Sequence, residues 1–239
     1  MFKKVTKIAL AGVIGVGTLV GSSSLASAET AAEYTSKAKV MFEANEDPTK
    51  PVDPDTPDPT KPVDPKDEVE PGTPGPLSID YVSNFDFGTQ KTSGNAATYT
   101  AKPVEIKLSN GEEVMRAPYA QVTDNRGTNA GWTLQVAQPA QLSNGSEELE
   151  GAQITIGEGN VTGTPTVKDG VAGKEVVLSE DSQSVFTAEA GAKGGTWVNS
   201  FGTAEEVNVE LSIPAGTKID QDTEYTTNLN WTLTDAPGN

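Results

Sequence analysis

The sequence predicts an all-β protein whose folded part is one antiparallel β-sandwich or barrel-like domain. Short apolar segments alternate with polar residues at the period of two that a strand requires, and no twelve-residue window keeps a helical period. Turn pairs such as Asn110-Gly111, Asn144-Gly145 and Asp169-Gly170 separate these segments. Residues 77–239 are enough to bury a single core, so we expect one domain in this region.

The N-terminus has the order of a secretory signal peptide. Three lysines precede an apolar run over residues 8–20, and the small residues Ala26-Ser27-Ala28 close the segment. The apolar run is shorter than the ~20 residues that a membrane-spanning helix needs. We therefore expect residues 1–28 to be removed and the mature protein not to insert into the membrane.

The charge and the absence of cysteine limit how the exported chain can be held. Removal of residues 1–28 leaves 17 − 3 = 14 basic residues against 34 acidic ones, a net charge of −20, which opposes binding to nucleic acid or anionic membrane. No cysteine is present to carry a disulfide or a lipid. The sequence ends at Pro237-Gly238-Asn239 without a sorting signal for covalent attachment, so we expect noncovalent retention.

Two segments separate the predicted signal peptide from the domain. In residues 29–44, the apolar side chains of Ala38, Val40 and Phe42 alternate with other residues, which predicts one short strand over residues 36–42. Residues 45–76 contain the eight-residue sequence DPTKPVDP twice, at positions 47–54 and 58–65, with a repeat length of 11 residues. Because proline favours extended chain and cannot donate a backbone hydrogen bond, we expect a solvated, disordered tether here.

The strands of the domain follow in order from Leu77. The segment from Val104 to Leu108 ends at a Ser-Asn-Gly turn, as expected of a strand that enters a hairpin. The other predicted strands share the same alternation or a short apolar run, and they cover residues 132–136, 153–156, 175–178, 207–213 and 225–233.

Two strands carry the same three residues about a hundred positions apart, Trp132-Thr133-Leu134 and Trp231-Thr232-Leu233. Strand alternation places each tryptophan and leucine on one face and the threonine on the other. In the second strand, Tyr225 and Leu229 fall on the same face as Trp231 and Leu233, which is the pattern of a strand that packs on a core.

The two motifs resemble those of the WxL-domain cell-surface proteins of low-GC Gram-positive bacteria. The distal family pattern is tyrosine, three residues, leucine, any residue, tryptophan, any residue, leucine, three residues and proline, and the segment from Tyr225 to Pro237 is similar at every position. The proximal motif resembles the family in residues 122–127, four residues ahead of Trp132, and the segment from Leu77 to Gly88 is similar to the start of the family domain. The resemblance covers residues 77–239.

The resemblance implies a domain that associates noncovalently with the cell wall, with peptidoglycan as the receptor. It also implies partners, because members of the family are commonly encoded with other WxL proteins and with membrane-anchored WxL-interacting proteins. Two functions stay open at this point. The domain either binds the wall directly, or it is a subunit of a surface complex that a membrane-anchored partner retains.

The candidate binding residues are Trp132, Leu134, Tyr225, Leu229, Trp231 and Leu233 of the motifs, with Trp197. The motif tryptophans are core residues, or part of a surface on which sugar rings stack, and the two roles can coexist if the motif shapes the binding surface while its tryptophans stay mostly buried. Trp197 lies between Gly194-Gly195 and Gly202, which predicts an exposed loop aromatic that contacts glycan.

Other chemistry is not expected. The acidic segment 220–224 is interpreted as a solvated turn and not as a calcium site, because it lacks the glycine and terminal glutamate of an EF-hand loop. Without histidine or cysteine, catalysis would depend on a carboxylate pair, and no motif distinguishes one. We therefore expect neither enzyme activity nor a cofactor or metal.

Overall fold

The computed structural model describes residues 32–164 and 170–237, and the chain divides into a short unit, residues 1–41, and a large unit, residues 42–239. The predicted signal peptide lies outside the described residues. The predicted strand over residues 36–42 is wrong, because these residues have no strand and Val40 and Phe42 are 77% and 87% exposed. The alternation is present, but a strand needs a neighbour to pair with.

The large unit is all-β and antiparallel, which confirms the predicted class. The described residues contain no helix, so none of them forms a helix that could cross a membrane. The strands are β1 (Asp64–Pro65), β2 (Leu77–Val82), β3 (Ala97–Thr100), β4 (Val104–Lys107), β5 (Glu113–Arg116), β6 (Tyr119–Asp124), β7 (Trp132–Ala137), β8 (Gln153–Ile156), β9 (Asn160–Gly163), β10 (Val171–Gly173), β11 (Val176–Val177), β12 (Gln183–Ala188), β13 (Gly195–Ser200), β14 (Val209–Ile213) and β15 (Asn230–Thr234).

These strands form four antiparallel sheets in a barrel-like arrangement. The strand orders are β10-β12-β7-β15, β11-β8-β14-β3, β2-β6-β13-β9 and β1-β4-β5. Each of the six segments predicted as a strand from residue 104 onward contains an observed one, although the last begins at Asn230 and not at Tyr225. The three four-stranded sheets supply the main core, which includes Trp132, Leu134, Phe186 and Trp197.

The predicted disordered tether is wrong for residues 49–65, which we call the proline strap. Val52 and Val63 occupy the same position in the two repeats, and they are only 0% and 7% exposed. Both lie in a second hydrophobic cluster with Ile106, Tyr119 and other buried side chains. Burial of two valine side chains stabilises the docked strap by about 1.5–3 kcal/mol each relative to an exposed chain.

Backbone hydrogen bonds of the strap are satisfied by the domain. The Gln121 side chain, which is fully buried on β6, accepts a hydrogen bond from the Val52 N–H at 2.8 Å and donates one to the Lys50 carbonyl at 3.0 Å. The Thr162 hydroxyl donates to the Pro54 carbonyl at 2.7 Å. In the second repeat, Asp64 and Pro65 pair with β4. The strap is therefore an integral part of the fold.

An ion pair joins the first repeat of the strap to β5 of the domain. The Arg116 guanidinium donates from Nε to Asp53 Oδ1 at 2.7 Å and from its second amino group to Asp53 Oδ2 at 3.0 Å. Burial alone would raise the pKa of Asp53, but hydrogen bonds from Arg116, Asp55 and Thr56 and the guanidinium charge outweigh burial and lower it below 3.8. The ionised carboxylate therefore stabilises the docked strap.

Candidate functional site: the two tryptophan motifs and the face they share

The two Trp-Thr-Leu motifs lie on neighbouring strands. β7 and β15 pair antiparallel, with Leu134 opposite Leu233 and Trp231 opposite Val136. The sequence could predict that each motif is a strand but not that the strands pair, because about a hundred residues separate them. The pairing joins the motifs into one structural element.

The proximal motif is buried in the main core. Trp132 is 1% exposed and Leu134 is fully buried. The Trp132 ring meets Phe186 of β12 edge to face, with the ring centroids 4.8 Å apart and the planes at 83°. For this motif the core interpretation is correct, and the Trp132 ring does not offer a surface on which a sugar can stack.

The distal motif packs on the same core but is less covered. Tyr225, Leu229, Trp231 and Leu233 are all partly buried against the main core, which confirms that they share a face. The Tyr225 hydroxyl accepts a hydrogen bond from the backbone N–H of Asp220 at 2.9 Å, and this contact fixes the turn that leads into β15.

The chain just before Trp132 is held by an ion pair and by the end of the distal motif. The Arg126 guanidinium donates to both oxygens of Asp124, at 2.9 and 2.8 Å, and to the Gly131 carbonyl at 2.8 Å, while the Asp124 carboxylate raises the pKa of Arg126. Gly131 has a φ of 81°, and a Cβ there would lie 2.8 Å from Cβ of Pro237. Glycine thus allows the last residue of the distal pattern to contact the start of the proximal one.

Trp197 is buried, so the prediction of an exposed, glycan-contacting side chain is wrong. Its exposure is 0%, and its indole N–H donates to the Lys193 carbonyl at 2.9 Å. The ring lies over Gly163 of β9, where a Cβ would come within 2.4 Å of Cε3. The glycines that suggested a loop instead flank a central strand, and Gly163 provides the space that the ring fills.

The outer face of the motif sheet carries a row of uncharged polar side chains. Gln135 of β7 lies opposite Thr232 of β15 on one side and opposite Ser184 of β12 on the other. Asn230 precedes Thr232 by two residues on β15, so its side chain lies on the same face. We call Ser184, Gln135, Asn230 and Thr232 the motif-sheet face. Thr133, the middle residue of the proximal motif, is 7% exposed, and its hydroxyl donates to the Ala236 carbonyl at 3.0 Å.

The motif-sheet face is available for a ligand. Thr232 and Asn230 are exposed, and Gln135 and Ser184 are partly exposed. Within residues 32–164 and 170–237, none of these four side chains hydrogen-bonds to another residue. Amide and hydroxyl groups both donate and accept, so the row offers hydrogen bonds of both kinds on a rigid sheet without a charge.

Sequence reasoning missed the residues of this face. The alternation that places Trp231 and Leu233 inward also places Asn230 and Thr232 outward, and this was the signal that could have found them. Gln135 and Ser184 required the register between strands. In the described part of the chain, no group of three or more acidic residues is placed to hold a metal ion.

A family profile described as the WxL domain, surface cell wall-binding, matches residues 29–237. The chain belongs to the WxL family. Comparisons with curated proteins and with solved structures gave no significant match. The WxL family match begins well before the expected boundary at residue 77 and takes in the proline strap, in agreement with the burial of Val52 and Val63.

Membership of the family locates the protein and gives its general role. A WxL domain is a surface, cell wall-binding domain, so this chain is a cell-surface protein that associates with the cell wall. The match covers nearly the whole chain, and the WxL domain is therefore its principal functional part.

Proposed function

We propose that this WxL domain holds an exported protein on a Gram-positive cell wall by binding the glycan of peptidoglycan directly and noncovalently through the motif-sheet face. The observation that carries the proposal is the row Ser184, Gln135 and Thr232, which crosses three strands with free, uncharged hydrogen-bonding groups. Neighbouring strands lie about 4.8 Å apart, so the row presents these groups at a fixed spacing.

Charge favours a neutral polymer as the ligand. The predicted mature chain carries −20, and phosphate-rich wall polymers would be repelled by it. Hydrogen bonds between amide or hydroxyl side chains and sugar hydroxyl or acetamido groups need no such charge. With Trp132 and Trp197 buried, aromatic stacking in the main core contributes nothing to the binding.

The proposed protein is exported and binds the wall without enzyme activity. The family match begins at residue 29, directly after the predicted signal-peptide cleavage point, which supports export of residues 29–239. The chain has no histidine or cysteine, and its family is one of binding domains. We expect the pure protein to leave wall material intact in zymography, and a clearing band would contradict this.

The motif-sheet face can be tested with two double variants. Each replaces one glutamine by glutamate and one threonine by aspartate, one of them on the motif-sheet face and the other on a different sheet. Gln135→Glu and Thr232→Asp add charge to the motif-sheet face, whereas Gln153→Glu on β8 and Thr98→Asp on β3 make the same changes on another sheet. In sedimentation with protein-free peptidoglycan, we expect the first pair to weaken binding at least about tenfold, or 1.4 kcal/mol. The second pair should bind as the unsubstituted protein does.

The outcome separates direct binding from retention by a partner. If both pairs of substitutions leave binding equally strong, the motif-sheet face is not the binding surface. If the folded, unsubstituted protein itself fails to bind and is recovered on the wall only with a membrane-anchored WxL-interacting protein, retention is indirect. Melting temperatures within a few degrees of each other establish that the comparison reports binding and not unfolding.

A further inference from the structure

The outer edge of β15 is open and lacks the usual protection of an edge strand. β15 pairs with β7 and is the last strand of its sheet, so its other side presents unpaired backbone groups within the described part of the chain. Exposed edges are normally blocked by lysine, proline or a bulge. Residues 226–234 contain no charged residue and no proline, and the pairing of β15 with β7 runs without a register shift.

The core beneath this edge is incompletely covered. Trp132 and Leu134 on β7 are sealed, with exposures of 1% and 0%. Trp231 and Leu233, which face the same core from β15, remain partly exposed, as does Leu229 ahead of the strand. A further strand beside β15 would cover these side chains and satisfy the free backbone groups together.

Residues 34–42 have the properties of such a strand. Tyr34, Ala38, Val40 and Phe42 fall on one face by alternation, and Lys37 and Lys39 fall on the other. The apolar face is in water, since Tyr34, Val40 and Phe42 are 95%, 77% and 87% exposed. A strongly apolar, strand-patterned segment left exposed in this way is typical of an interaction site.

Charge does not oppose contact between the segment and the edge. Residues 34–42 carry two lysines, and Glu33 and Glu43 stand directly before and after them. Acidic residues flank β15 at both ends, Asp222 and Glu224 before it and Asp235 after it, and all three are exposed. Residues 226–234 carry no charge and therefore do not repel the two lysines, so main-chain hydrogen bonds and apolar contacts supply the affinity.

We propose that residues 34–42 of one copy of this protein add as a strand to the outer edge of β15 in a second copy. The apolar face of the added strand covers Trp231 and Leu233, and the lysines lie on the outer side beside the motif-sheet face. This is β-augmentation, in which main-chain hydrogen bonds give affinity and alternate side chains give specificity. The donor segment and the edge of β15 are different parts of the chain, so the contact joins copies head to tail.

The donor segment can be tested in the mature chain, residues 29–239, by sedimentation velocity over a range of concentrations. The double variant Val40→Asp, Phe42→Asp changes two exposed side chains of the apolar face, so it should keep its melting temperature while its self-association weakens at least about tenfold. Met41→Asp is the control, because Met41 is 91% exposed on the opposite face, and it should associate nearly as the unsubstituted chain does.

Hydrogen exchange tests the acceptor edge in the same samples. We expect the backbone amides of residues 229–234 to exchange more slowly as the concentration of the unsubstituted chain rises and the chain associates. In the double variant, the exchange of these amides should not change with concentration. An unsubstituted chain that stays monomeric at its highest soluble concentration would overturn the proposal. Association that survives in the double variant, or that is lost equally in Met41→Asp, would also overturn it.

Discussion

The two Trp-Thr-Leu segments are identical in sequence and adjacent in the sheet, yet their side chains have different surroundings. β7 lies between β12 and β15, and its Trp132 and Leu134 are sealed from water. β15 is the edge strand, and its Trp231 and Leu233 stay partly exposed. The difference shows that the motif defines which side chains face the core, whereas the position of the strand in the sheet decides how far they are buried.

The repeats of the proline strap show the same effect. Val52 and Val63 occupy equivalent positions, and both are buried. Asp53 and Asp64 are also equivalent, but Asp53 pairs with Arg116 while Asp64 is exposed on β1. Identical local sequence therefore gives identical inward positions but different partners.

The largest expected effect concerns the two motif tryptophans. Trp132→Ala should lower the free energy of unfolding by about 3–5 kcal/mol, because it empties a closed core site. Trp231→Ala should cost less, about 1–3 kcal/mol, because part of its ring is already in contact with water. Chemical denaturation of both variants measures the difference, and an equal or larger loss for Trp231→Ala would contradict the distinction between central and edge strands.

The proline strap gives the next largest effect. Val52→Ala and Val63→Ala should each lower the free energy of unfolding by about 1–3 kcal/mol, with the larger loss at Val52, because these side chains fill the second cluster. Val40→Ala is a matched control at a position that is 77% exposed, and it should stay within about 0.5 kcal/mol of the unsubstituted chain. If all three variants unfold alike, the strap is not packed on the domain in solution.

The smallest effect distinguishes the two equivalent aspartates by pH. The folded-state pKa of Asp53 lies below 3.8, so its ionised form stabilises the fold above the unfolded pKa, and this contribution is lost as pH falls through the lowered value. Asp53→Asn should therefore cost about 1–2 kcal/mol at neutral pH and progressively less below about pH 4. Urea unfolding measured from pH 7 to pH 3 checks this, and Asp64→Asn, the matched control at an exposed position on β1, should cost less than Asp53→Asn at neutral pH.

Much of the fold follows from the local pattern. The alternation at residues 104–108, 153–156 and 225–233 predicted strands that the structure contains, because a half-buried strand requires a period of two. Even the inward face of Tyr225, Leu229, Trp231 and Leu233 was predictable. These features depend only on neighbours within one strand.

The errors arose where the outcome depends on distant residues. Trp197 is buried because Gly163 on another strand leaves room for its ring. The proline strap is folded because Gln121 and Arg116 satisfy its backbone and its charge. Composition indicated solvated chain, and the one local signal against it was a valine at the same position in both repeats.

We infer that the folded domain itself binds wall glycan through uncharged groups. Sedimentation of the pure mature protein with protein-free sacculi, native and stripped of teichoic acid, tests it most directly. We expect the unsubstituted protein to pellet with both preparations and the double variant Gln135→Glu, Thr232→Asp to remain largely in the supernatant. A protein that retains its cooperative melting transition but stays in the supernatant with both preparations would contradict direct attachment.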